Sequence, residues 1–122
     1  MRIFLAGAAG VIGKRLVPLL LDAGHPVIGT TRSTRKAHAL RTMGVEPVVA
    51  DVFDAPAFCR ALAMARPDLV MDQLTDLPPG LDPKQMAEGT RRNARMRSEG
   101  TEHLVSAAPA CGVKRLVTQS IA

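Results

Sequence analysis

Apolar positions along this chain follow two alternating rhythms. Five short stretches, 2–6, 26–31, 45–50, 67–74 and 112–120, are rich in β-branched and other apolar residues with few polar interruptions. Between them, 14–21, 34–43, 55–65 and 84–110 carry apolar residues at helical spacing, such as Ala37, Leu40 and Met43. A strand that is apolar on both faces belongs to a sheet covered on both sides, which is the situation of a parallel sheet with crossover helices. The punctuation agrees. Gly24-His25-Pro26 and Gly44 close the first two helices, and Arg66-Pro67 closes the third. His25 is expected in a solvated turn. Asp54 is placed to cap the third helix, with Asp51 as the other candidate. The long fourth helix is expected to break, if anywhere, near Gly89 or Gly100.

The first stretch, RIFLAGAAGVIG, carries the most information. A buried strand runs into Gly7, Gly10 and Gly13, spaced three apart, with Ala8, Ala9, Val11 and Ile12 between them. A helix of about two turns follows. This is the spacing needed where a strand reverses into a helix against a diphosphate. One glycine makes the turn, one leaves room for the anion, and one lets helix and strand approach closely. The unfilled N–H groups of the helix start then face the anion.

GAAGVIG resembles the GxxGxxG turn of the extended short-chain dehydrogenase/reductases, the group of nucleotide-sugar epimerases and dehydratases. Later segments resemble that family too. Gly100-Thr101-x-x-Leu104-x-x-Ala107-Ala108 matches its N-x-x-G-T-x-x-L-x-x-A-A helix, except that Arg97 stands where the family has asparagine. Gly112-Val113-x-Arg115-x-Val117-x-x-Ser120 matches its fifth strand. The resemblance implies an α/β, Rossmann-like, doubly wound parallel sheet of about five strands in order 3-2-1-4-5, with helices on both faces. Pro47, which cannot donate to an interior ladder, suits the edge place this order gives strand three.

The resemblance further implies a bound NAD or NADP resting on Gly7, Ala9, Gly10, Val11, Ile12 and Gly13. It places Asp51 and Val52 beside the adenine, and Gln73, Leu74 and Thr75 beneath the cofactor. The tip of the second strand decides between the two nucleotides. An acid about 20 residues past the glycine turn would bond a ribose 2′-OH. Here the strand ends Thr30-Thr31-Arg32-Ser33-Thr34-Arg35-Lys36, with no acid. Arg32, with Ser33, Arg35 or Lys36, offers charge-assisted donors to a 2′-phosphate, so NADP(H) is expected over NAD(H). The alternative makes Arg32 a solvated cation that begins the next helix.

Composition narrows the classes. The net charge is +5, yet there is no Trp or Tyr and the only aromatics are 3 Phe. With no stacking surface and no DNA-binding motif, nucleic acid is a poor partner for this charge. Arg91, Arg92, Arg95 and Arg97 form either a solvated helix face or a contact to a cofactor phosphate. No run of about 18 apolar residues exists to span a membrane. Cys59 and Cys111 are expected as buried thiols in a reducing cytoplasm, and His103 as helix surface. No ligand set for a metal is present.

The family's Tyr-x-x-x-Lys pair is absent, and Ser120 falls near the position of its active-site serine or threonine. The expectation is therefore residues 1–122 as the cofactor-binding front part of a longer oxidoreductase acting on a small molecule, truncated after strand five. Its last strand is an exposed edge on which a second copy could pair. The alternative is a non-catalytic NADP-sensing module on the same fold.

Overall fold

The computed structural model describes residues 1–73, 91–92, 94–110, 113 and 115–118, with the backbone alone for 11, 97, 107, 108 and 110. Leu74, Thr75, the 76–83 loop, the first turns of the long helix, Cys111 and Ser120 lie outside the described residues.

β1 (Ile3–Ala6) is buried at every position. Its neighbours are β2 (Val27–Thr31) on one side and β4 (Leu69–Asp72) on the other. β3 (Glu46–Val49) pairs with β2, and β5 (Leu116–Thr118) pairs with β4. All pairings are parallel, in the order β3-β2-β1-β4-β5. This is the expected doubly wound order. Pro47 does lie on the edge strand, in register with Gly29.

Alternation along β1 divides the core in two. Leu5 packs with Val17 of α1 (Val11–Asp22) and Leu40 of α2 (Thr34–Thr42). Phe4 and Ala6 point to the opposite face, against Phe58 and Leu62 of α3 (Ala55–Ala65) and Leu104 of α4 (Thr101–Ala110). Phe4 and Phe58 meet edge to face, centroids 5.8 Å apart. The two faces are thus covered by different helix pairs, as a parallel sheet requires.

The elements end where local chemistry ends them. The α1 chain closes in a Schellman motif, His25 N–H to Leu20 C=O at 3.0 Å and Gly24 N–H to Leu21 C=O at 3.0 Å. α2 repeats it through Val45 and Gly44. Ser33 caps α2, its hydroxyl oxygen accepting from the Lys36 N–H, and Asp54 caps α3 by accepting from Ala57 N–H.

Three expectations need correction. α1 has 12 residues and begins at Val11, so Gly13 lies inside its first turn; the exposed Pro18 is accommodated within it. His25 is half-buried, its Nδ1 3.3 Å from the amino group of Met1. Cys59 is half-buried as well. The break expected near Gly100 is present: a π turn, Met96–Gly100, runs directly into α4. There Ser98 donates its hydroxyl to Ala94 C=O at 2.9 Å, competing with the helical ladder.

Gly29 does more than continue β2. A methyl group at its Cα would come 2.6 Å from Ala8 Cβ and 2.9 Å from Val45 Cγ1. The small residue lets the turn after β1 settle onto β2. Gly29→Ala is expected to destabilise the fold by about 1–3 kcal/mol through overpacking, read as a lowered urea midpoint at unchanged slope.

Candidate cofactor site

The parallel order puts the C-terminal ends of β1, β2, β3 and β4 along one edge of the sheet. At that edge the chain leaves β1 toward α1, with β2 on one side and β4 on the other. This is the point at which strand order reverses and ligands bind in such sheets.

The turn after β1 is fixed by β2. Gly7 takes φ +83°, a conformation that a side chain disfavours. Its N–H donates to Thr30 Oγ1 at 3.2 Å, and Ala8 N–H donates to Thr30 C=O at 3.3 Å. Thr30 is 1% exposed, so both bonds are shielded from water. Gly10 N–H then closes onto Gly7 C=O at 3.1 Å. Gly10 is the N-cap of α1, no side chain caps it, and no acid stands in the first turn. The helix thus presents main-chain donors and the positive end of its dipole with nothing from its own first turn to neutralise them.

Gly13 makes this geometry possible. A Cβ there would land on Gly7 C=O and come 2.7 Å from Ala8 C=O, both main-chain atoms. Ala9 and Gly10 are half-buried, while Ile12 is 46% exposed at the rim. Val11 contributes its helical backbone.

Arg32 stands exposed one residue past β2. Arg35 and Lys36 are exposed in the first turn of α2, which also carries no acid. The Ser33 N–H donates to Thr31 Oγ1 at 3.2 Å, pinning the backbone beside Arg32. Past β3, Asp51 is half-buried and its Oδ1 accepts from Phe53 N–H at 3.0 Å. Val52 as a whole is 2% exposed: its side chain belongs to the core and its C=O is bonded to His103, so Asp51 is the residue of this pair that faces the edge.

Gln73 N–H donates to Ala6 C=O at 2.9 Å, holding the residue directly beside the glycine turn. Its Oε1 is buried and has no hydrogen-bond partner among the described residues. A buried acceptor left unpaired costs roughly 1–3 kcal/mol. An orphaned acceptor, a cradle that a methyl group would fill, and an uncapped helix start together fit an elongated ligand carrying both phosphates and donors. Next to Gln73, the buried Asp72 accepts from Thr101 Oγ1 at 3.0 Å, tying α4 to the end of β4.

The sequence placed Gly7, Gly13, Arg32, Asp51 and Gln73 at one edge, and the structure brings them there. It did not single out Thr30, whose signal was a second threonine at a strand end. His103 is not helix surface, as its spacing predicts, but half-buried against the Asp51–Asp54 loop. Arg95 lies over Phe53 and pairs with Glu99. Arg91 and Arg92 are exposed.

Fold and site together define a Rossmann-type dinucleotide-binding domain, and the chain belongs to the NAD(P)H-binding family, which it matches over residues 7–122. Among individual proteins it is 44% identical to the 3-diazoavenalumate denitrifying reductase of a Streptomyces species, over 100% of this chain and 38% of the reductase. It is 28% identical to the photosystem II assembly factor Ycf39 of Synechocystis, over 99% of this chain and 34% of that protein. The crystal structure of Thermus thermophilus UDP-glucose 4-epimerase in complex with NAD superimposes with a TM-score of 0.77 at 26% identity, covering 95% of this chain and 36% of the epimerase. The chain therefore spans less than two fifths of the length of these relatives. No helix among the described residues is long and apolar enough to cross a membrane.

Proposed function

We propose that this chain is the cofactor-binding part of an NADP(H)-preferring oxidoreductase of the extended short-chain dehydrogenase/reductase type. Its carrying observation is the pairing of an uncapped, acid-free α1 start behind Gly7–Gly13 with Arg32, Arg35 and Lys36 at the tip of β2. The main-chain donors at residues 11–13 hold the diphosphate. Arg32 engages the 2′-phosphate, Asp51 and Val52 border the adenine, and Gln73, with Leu74 and Thr75, lies beneath the cofactor.

When bound, the dinucleotide supplies or accepts a hydride. The chain's own residues bind it, orient it and keep it in place for a small substrate bearing a carbonyl or hydroxyl group. The identity to a reductase supports this class. A second reading, a non-catalytic NADP-binding module on the same fold, draws support from the likeness to a protein named as an assembly factor. In either case β5 is paired on one side only among the described residues and Val117 is 47% exposed. We expect this edge to be covered by further chain or by a second copy.

Fluorescence titration with NADPH and NADH tests the proposal. NADPH is expected to bind at least about tenfold more tightly, the worth of one charge-assisted hydrogen bond. Equal affinities would remove the role of Arg32, and no binding of either would remove the whole reading.

A further inference from the structure

The loop from Asp51 to Asp54 is held from two directions. Within itself it is an Asx turn: Phe53 N–H donates to Asp51 Oδ1 at 3.0 Å, and Asp54 N–H donates to Asp51 C=O at 2.9 Å. From outside it is gripped by the helix some 50 residues further along. His103 Nδ1 lies 3.1 Å from Val52 C=O. A carbonyl oxygen only accepts, so Nδ1 carries the proton and donates. The His103 ring meets the Phe53 ring edge to face, with centroids 6.0 Å apart and planes at 79°. The Arg95 guanidinium sits 4.2 Å from the Phe53 centroid and is itself held by Glu99 at 3.0 Å.

The π turn serves the same contact. A Cβ on Gly100 would come 3.2 Å from Val52 Cγ1 and 3.0 Å from Met96 Sδ. Glycine lets the helix lie this close to Val52 without either side chain having to shift. The extra residue of the π turn changes the helical phase between Arg95 and His103, and both side chains reach Phe53. Neither residue belongs to the glycine turn or to the β2 tip.

We infer that His103 and Arg95 are positioning residues, which hold the Asp51–Val52 backbone ready for the adenine of the dinucleotide. This rests on the proposed placement of the adenine at Asp51 and Val52. A loop already fixed loses little conformational freedom on binding, so the ligand's contacts appear as affinity instead of being spent on ordering the loop. Releasing the latch lowers affinity for the adenosine half without altering any group that touches it.

The test is calorimetric titration of 2′,5′-ADP, the adenosine half alone, into the chain and three variants. His103→Leu removes the donor and the ring edge, and is expected to weaken binding about tenfold. It should also speed amide exchange at Phe53 and Asp54. His103→Asn places an amide N–H near the former Nδ1 and is expected to stay within about threefold of the parent. A solely structural role would not show this rescue. Arg95→Ala changes a side chain that is 60% exposed, so its fold survives whatever happens to His103→Leu; about threefold weakening is expected. The inference is overturned if His103→Leu and Arg95→Ala bind like the parent, or if His103→Asn is as weak as His103→Leu. If the parent itself does not bind 2′,5′-ADP while NADPH still binds, the adenine placement fails, and this inference fails with it.

Discussion

Gly13→Ala is expected to cost the chain at least about a hundredfold in NADPH affinity. The added methyl group has no space: it falls on Gly7 C=O and lies 2.7 Å from Ala8 C=O. Both obstacles are backbone, so no side-chain rotation relieves the clash. The first turn of α1 must lift away from the turn after β1. Overpacking of this kind costs about 1–3 kcal/mol of stability. Separating the main-chain donors also removes about two charge-assisted hydrogen bonds to the diphosphate, each worth about 1.5–3 kcal/mol. The two lost bonds alone, about 3 kcal/mol or more, amount to over a hundredfold in affinity.

A control separates the two effects. At Gly24, φ is +86° and a Cβ would meet nothing within 4 Å. Gly24→Ala should therefore lose about 1–2 kcal/mol of stability through backbone strain alone, with NADPH affinity unchanged. Denaturant melts paired with cofactor titrations check both variants. If Gly13→Ala loses stability but keeps its affinity, the glycine serves packing and not the ligand.

Arg32→Ala is expected to raise the NADPH dissociation constant about ten- to hundredfold and to leave the NADH constant within about twofold. The 2′-phosphate is the only difference between the two ligands, so the ratio isolates one interaction. Arg32 is exposed, and Arg35 and Lys36 of α2 stand near in sequence, so the effect should shrink as salt rises. Arg32→Asp should go further and reverse the preference, since a carboxylate repels the phosphate and can accept from a ribose 2′-OH. Equal losses for both cofactors in Arg32→Ala would instead make Arg32 a capping or structural cation.

Much of the fold was legible because its signals are local. The apolar runs of β1, β2 and β4, the Gly24 and Gly44 stops and the Asp54 cap each lie within a few residues of what they determine. Pro47 marked its strand as an edge by its missing N–H alone. The glycine triplet was legible for the same reason: turn, cradle and helix start are consecutive.

What escaped depends on distant pairs. Gly29 is small because Ala8 lies against it, 21 residues away in sequence, and no periodicity along β2 shows that. Thr30 reads as a strand residue until Gly7 and Ala8 are seen donating to it. Helical spacing ranks faces by apolarity and so predicts His103 on the surface; a half-buried histidine bonded to Val52 C=O carries no such mark. The π turn was visible only as a glycine in a helix. Its close approach to Val52 belongs to the folded chain.

The central claim is that the main-chain N–H groups after β1, together with Arg32, seat a phosphorylated dinucleotide. Amide chemical-shift mapping of the chain during titration with NADPH tests it most directly. The account predicts saturable shifts concentrated at residues 7–13 and 31–33, with the second group silent when NADH is used instead. Shifts confined to other parts of the chain, or none at 7–13 under saturating NADPH, would contradict it.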